Sequence, residues 1–180
     1  MKPTLLGALL LAAIVRSACP AAAEVLSTAE NGFASKNVVT VPVDPGRAYA
    51  AVVEQVGRWW DPEHTYSRDS ANLSIEARPQ GCFCEKLPNG GFVRHLTVVF
   101  AAPGKVLRLE GGLGPFQALA VAGNMTWTFR PDEKGGTTVE MTYTAGGYSP
   151  TGFKDIAAGA DAVLHGQLDR YQRFLSTGKP

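Results

Sequence analysis

The chain reads as an α+β protein, a curved antiparallel sheet of about seven strands wrapped around a long C-terminal helix. Three observations predict this. Between Ser70 and Gly147 six strand-like runs are joined by short turns rich in proline and glycine, which allow antiparallel neighbours but not parallel crossovers of a dozen residues. After Ser149-Pro150 the apolar period lengthens from about two to between three and four, the change from strand to helix. Ahead of the sheet, Asp44-Pro45 opens a shorter helical stripe directly after a first strand.

Taken from the N-terminus, Lys2, the apolar run Leu5–Val15 and Ala21-Ala22-Ala23 form the pattern of an export signal, residues 1–23, cut before Glu24. The apolar run is shorter than the roughly 20 residues a membrane span needs, so no transmembrane span is expected. Cys19 offers a second route, lipid attachment, although Arg16 stands where that signal has an aliphatic residue and Pro20 follows the cysteine. The expected destination is the periplasm or the exterior. Losing the signal removes Lys2 and Arg16, which turns the net charge of +1 into a slight excess of acidic residues. Such a balance provides no electrostatic footprint for nucleic acid.

Residues 24–31 read as a linker, and residues 32–176 as one domain. The first strand starts at Gly32 with alternating Val and Thr. Asp44 is suited to cap a helix whose first position is Pro45. Its stripe runs through Tyr49, Val52, Val53, Val56 and Trp60, and Gly57 and Pro62 break it into two short helices. The sheet continues as Asn72–Arg78, Cys82–Leu87, Phe92–Ala101, Val106–Gly111, Ala118–Arg130 and Thr137–Gly147. The glycine-rich segment from Gly111 to Pro115 is expected at the mouth of the fold. It lacks the Lys-Ser/Thr ending of a phosphate cradle. The last helix, Thr151–Ser176, carries Phe153, Ile156, Ala160, Val163, Leu164, Leu168 and Tyr171 on one stripe. At about 1.5 Å per residue it reaches roughly 39 Å, enough to cross the sheet. Gly159 and Gly166 cost it about 1 kcal/mol each relative to alanine, and they keep it slim.

Strand, paired short helices, meander, long helix is the helix-grip order. With the strings RWWDPEHTYS, GCFCE, LRLEGGLGPFQ and MTWTF…EMTYTAGGY, the chain resembles the START-like, or SRPBCC, superfamily, which includes polyketide cyclase/dehydrase-like proteins. More narrowly, it resembles a bacterial exported branch of unassigned activity. The resemblance implies a cavity between sheet and last helix that holds a hydrophobic small molecule, with no cofactor. It carries over no catalytic residues.

Candidates for the cavity wall are Trp60, His64, Tyr66, Glu85, His95, Trp127, Tyr143 and Phe153. Trp59 and Trp60 are adjacent, so on a helix they diverge by about 100°; one is expected in the core and the other as a lid. An alternative to simple binding is a cyclase/dehydrase-like enzyme that moves protons with His64, Tyr66 or Glu85. Cys82 and Cys84 raise a third possibility. In a regular strand their Cα atoms lie about 6.8 Å apart on one face, beyond the 5.5–6 Å a disulfide favours, so a bridge requires a bulge. Unbridged, they are either two buried thiols or, with His95, ligands for zinc, helped by His64 or Glu85. A four-residue loop at Pro88–Gly91 sets Cys84 opposite His95 and Cys82 opposite Thr97. A slip of one residue turns His95 to the other face.

Overall fold

The computed structural model describes residues 22–180; the expected export signal, residues 1–23, lies outside them except for Ala22 and Ala23, as does the lipid-attachment alternative at Cys19. Eight antiparallel strands form one sheet: β1 (Ala22–Ala29), β2 (Gly32–Val41), β3 (Leu73–Ile75), β4 (Cys82–Lys86), β5 (Phe92–Ala102), β6 (Val106–Gly111), β7 (Ala120–Pro131) and β8 (Thr137–Tyr148). Their order across the sheet is β1-β2-β8-β7-β6-β5-β4-β3. After β2 the chain therefore crosses to the far edge and returns strand by strand until β8 closes against β2.

The expected linker is a strand instead. β1 pairs with β2 through the two-residue turn Glu30-Asn31 and adds the edge strand that brings the count to eight. Its stabilisation comes from backbone pairing, which leaves little side-chain pattern to read.

The expected break in the helical stripe falls elsewhere. A single helix, α1 (Pro45–Trp59), is capped by the Asp44 carboxylate, which accepts from the Arg47 N–H. It bends at Gln55 rather than ending at Gly57. At Gly57 any Cβ would meet the Ser70 carbonyl at 2.8 Å, so the glycine lets the following loop lie against the helix. Two 3-10 turns follow, Pro62–His64 and Ser70–Asn72.

The last helix, α2 (Lys154–Thr177), ends at Gly178 in the left-handed conformation, the usual helix stop. It lies on the β1–β2 side and against α1. Tyr171 donates its hydroxyl to the Ala48 carbonyl, and Gln172 donates to the Thr40 carbonyl. Beneath it the inward side chains of β2, β7 and β8 form the core, with Trp59, Trp127 and Tyr171 packed edge to face at 5.2–6.2 Å. Among the described residues no helix is long and apolar enough to cross a membrane.

Candidate functional site

α2 follows one half of the sheet and leaves the other. Where it departs, a cavity of about 480 Å3 remains. Its walls are Phe83 and His95 from the sheet, Tyr143 from β8, Ile156, Gly159, Ala160 and Val163 from α2, and the segment Trp60–Tyr66. The loop from Leu113 to Phe116, which overlaps the glycine-rich segment, completes the lining. The lining is mostly apolar, with polar groups at a few fixed places.

The principal polar group is a buried pair. Glu85 faces inward from β4 and is 1% exposed. Its carboxylate accepts from the N–H groups of Tyr66 (3.1 Å) and Ser67, and from His95 Nε2 (3.0 Å). Burial alone would raise the Glu85 pKa, but the hydrogen bonds from Ser67, Tyr66 and His95 outweigh it and hold the carboxyl below its ordinary range. His95 shifts downward because burial disfavours the imidazolium more strongly than the adjacent carboxylate favours it. With Nε2–H committed to Glu85, Nδ1 is left as an acceptor, and it is buried with no hydrogen-bond partner among the described residues. Tyr66 stacks on the imidazole, ring centroids 6.0 Å apart, and Phe83 flanks it at 5.1 Å.

A bulge aims His95 inward. From Cys82↔Thr97 to Phe83↔Leu96 the pairing of β4 with β5 follows the expected register; beyond it, Cys84 faces Arg94 and Glu85 faces Val93. His95 is the residue left over, so His95 and Leu96 are both buried on the inner face. A bulge re-aims a side chain in this way, and it overturns the expected pairing of Cys84 with His95.

The cysteines lie on β4 opposite the bulge. Cys82 and Cys84 form a disulfide, with Cα atoms 5.3 Å apart, closer than two residues of regular strand allow. The two sulfurs lie on the outer face, away from the His95–Glu85 pair, so the expected three-residue metal set does not come together. Among the described residues no group of three or more His, Cys, Asp or Glu side chains is placed to hold a metal ion.

Other expected positions divide cleanly. Trp60, His64, Tyr66, His95 and Tyr143 line the cavity, and Glu85 stands behind His95. Trp127 and Phe153 do not line it: Trp127 packs on Trp59 and Tyr171, and Phe153 on Phe33 at 6.1 Å. Trp127 lies under α2 and Phe153 is its N-cap residue, both in the filled half of the fold. Neither tryptophan of the adjacent pair is a lid. α1 ends at Trp59 and Trp60 is already extended, so both side chains turn inward; Trp59 donates to the Ala51 carbonyl and Trp60 to that of His64. Burial pushes the Tyr143 pKa up to about 12 despite the N–H of Leu113 donating to its oxygen, so its own O–H remains a donor at neutral pH. Phe83 and Leu73 were missed as named wall residues. The stripe of the last helix was expected against the cavity, and its Ile156, Ala160 and Val163, together with Gly159, line it.

A sheet closed on its last helix has counterparts among solved structures. CalU16 from Micromonospora echinospora superposes with a TM-score of 0.59 at 9% identity, over 89% of this chain and 88% of its own. The chain has the helix-grip fold. A protein from Rhizobium leguminosarum gives a TM-score of 0.58 at 17% identity, covering 87% of this chain and 98% of its own. DynU16, from the dynemicin biosynthetic locus, gives 0.56 at 20% identity over 81% of this chain. This chain spans only 48% of DynU16. Neither a protein-family model nor a curated protein matches. At these identities the likeness is one of helix-grip architecture.

Proposed function

We propose that this chain is an exported binding protein of the SRPBCC kind, holding a hydrophobic small molecule that carries one or two oxygen functions. The observation that carries the reading is the cavity: about 480 Å3 falls within the roughly 300–1,000 Å3 of ligand sites, with apolar walls and two polar fixtures. At about 24 cal/mol per Å3, a dry void of that size would cost on the order of 11 kcal/mol, as much as a domain's whole stability. The space therefore holds solvent or a ligand, and its walls suit the ligand better. The Tyr143 hydroxyl would donate to a carbonyl or hydroxyl oxygen, and His95 Nδ1 would accept from an O–H or N–H. A disulfide persists in oxidising compartments, which supports export. The likeness to DynU16, from a biosynthetic locus, supports a small molecule over a macromolecular partner.

The test is extraction of the purified protein with organic solvent and mass spectrometry of the extract. A stoichiometric apolar compound is expected. Failure of every extracted or added apolar compound to bind would overturn the reading.

One observation favours a second reading, a cyclase/dehydrase-like enzyme. A carboxylate-backed imidazole with a free acceptor nitrogen is the arrangement of a general base. In such a step the ligand's acidic C–H proton passes to His95 Nδ1, and Glu85 stabilises the imidazolium through Nε2–H. The Tyr143 hydroxyl then donates to the resulting enolate oxygen. His95→Gln should retain ligand binding and abolish deuterium uptake by a bound carbonyl compound.

A further inference from the structure

We infer that the Cys82–Cys84 disulfide is the positioning element for His95, holding β4 short so that β5 must bulge and turn the imidazole into the cavity. The inference rests on the proposed use of that cavity only for its consequence, not for its geometry.

Strand lengths support it. Two residues of regular strand advance about 6.8 Å, whereas Cys82 and Cys84 have Cα atoms 5.3 Å apart. β4 is thus about 1.5 Å shorter there than a regular strand. Facing it, β5 uses three steps, from Thr97 to Arg94, against two in β4. The surplus residue is His95. Crosslink and bulge lie back to back on the two faces of the sheet, and His95 adjoins both the inner cavity and the outer groove that holds the cysteines.

Opening the disulfide removes the constraint that keeps β4 short. Extending the Cys82↔Thr97 register without a bulge sets Cys84 opposite His95 on the outer face and Arg94 opposite Glu85 on the inner one. The hairpin then closes with Leu87 facing Phe92, a change of one residue from the observed Lys86↔Phe92 pair. Glu85 keeps a partner in both registers, His95 in one and an arginine in the other. This gives the strand pair two discrete arrangements rather than a gradual deformation.

The disulfide is reachable for this chemistry. Both cysteines are half-buried on the outer face and border an open groove with Arg78, Gln80 and Arg94. A dithiol reductant attacks one sulfur, forms a mixed disulfide, and leaves as its own cyclic disulfide. Two electrons and two protons pass to Cys82 and Cys84, which become thiols.

The experiment follows the His95 side chain by nitrogen-15 NMR in the full chain, before and after reduction with dithiothreitol, with alkylation and intact mass confirming two free thiols. In the oxidised protein His95 should show Nε2 protonated and Nδ1 bare, with through-space contacts to Tyr66. Reduction should abolish those contacts and that tautomer signature, reoxidation with diamide should restore them, and the double variant Cys82→Ser/Cys84→Ser should match the reduced state. A fully alkylatable protein whose His95 signals do not move overturns the inference. If the variant fails to fold, the reduced wild-type chain decides alone. Binding of an apolar fluorescent dye is measured in parallel: no binding by the oxidised protein counts against the cavity's proposed use, while the His95 signals still judge the disulfide's role.

Discussion

The two stripes of α2 lie side by side and meet opposite fates. Ala157, Leu168 and Tyr171 are buried on the sheet and on α1, whereas Ile156, Gly159, Ala160 and Val163 face the cavity and stay accessible, with the buried Leu164 at the boundary between them. The first half of the molecule is filled by aromatic rings: Trp59, Trp127 and Tyr171 interlock, and Phe33 packs on Phe153. The second half is left open, and its wall carries a carboxylate–imidazole pair in place of apolar packing. Buried polar groups stabilise less than well-packed apolar ones. The contrast teaches that stability resides under the helix and binding capacity beside it.

The largest effect that would sharpen this comparison is in the filled half. Trp127→Ala should cost about 3–5 kcal/mol by chemical denaturation, while Val163→Ala on the cavity side should stay within about 1 kcal/mol. Equal losses at the two positions would erase the distinction.

Next comes the polar wall. Glu85→Ala leaves the N–H groups of Tyr66 and Ser67 and the His95 Nε2–H without their acceptor and should cost about 2–3 kcal/mol. Glu85→Gln, which keeps the shape and one acceptor, should lose less. A smaller effect of opposite sign is expected at Gly159, where nothing lies within 4 Å of an added Cβ. Gly159→Ala should raise stability by up to about 1 kcal/mol through helix propensity.

Acidification should bring out the same wall. The His95 pKa in the folded chain lies below its ordinary 6.5, so the unfolded chain takes up that proton first. Its contribution is complete above pH 6.5 and is lost as pH falls below it. The Glu85 pKa is likewise depressed from 4.5, and its contribution is lost at lower pH, as the folded carboxyl protonates. Stability measured against pH should therefore decline first below about 6.5, and His95→Gln should remove that first decline.

Sequence alone disclosed the filled half far better than the open one. Turn residues such as Pro88-Asn89-Gly90 and Ala102-Pro103-Gly104 marked the strands, because few other residues satisfy such backbone geometry. The α2 stripe marked the helix because its period is physical. β1 escaped because an edge strand needs no alternating face, and its Glu30-Asn31 turn is not one of the glycine-containing pairs that announce a hairpin. The bulge at His95 escaped because alternation assumes one residue opposite one residue, and an insertion of one inverts every later side chain. Trp127 and Phe153 were placed in the cavity wall because inward-facing aromatics look alike in sequence whether a helix covers them or not. Trp60 turned inward because the helix ended one residue before it.

The most direct measurement is a fluorescence titration of the folded protein with an uncharged apolar dye, set beside Gly159→Leu, a variant that fills the opening while favouring the helix. Saturable one-to-one binding by the wild-type chain, lost in a variant at least as stable, is the predicted result. Undiminished dye binding by Gly159→Leu, or none by the wild type, would contradict the claim that the space beside α2 is a binding site.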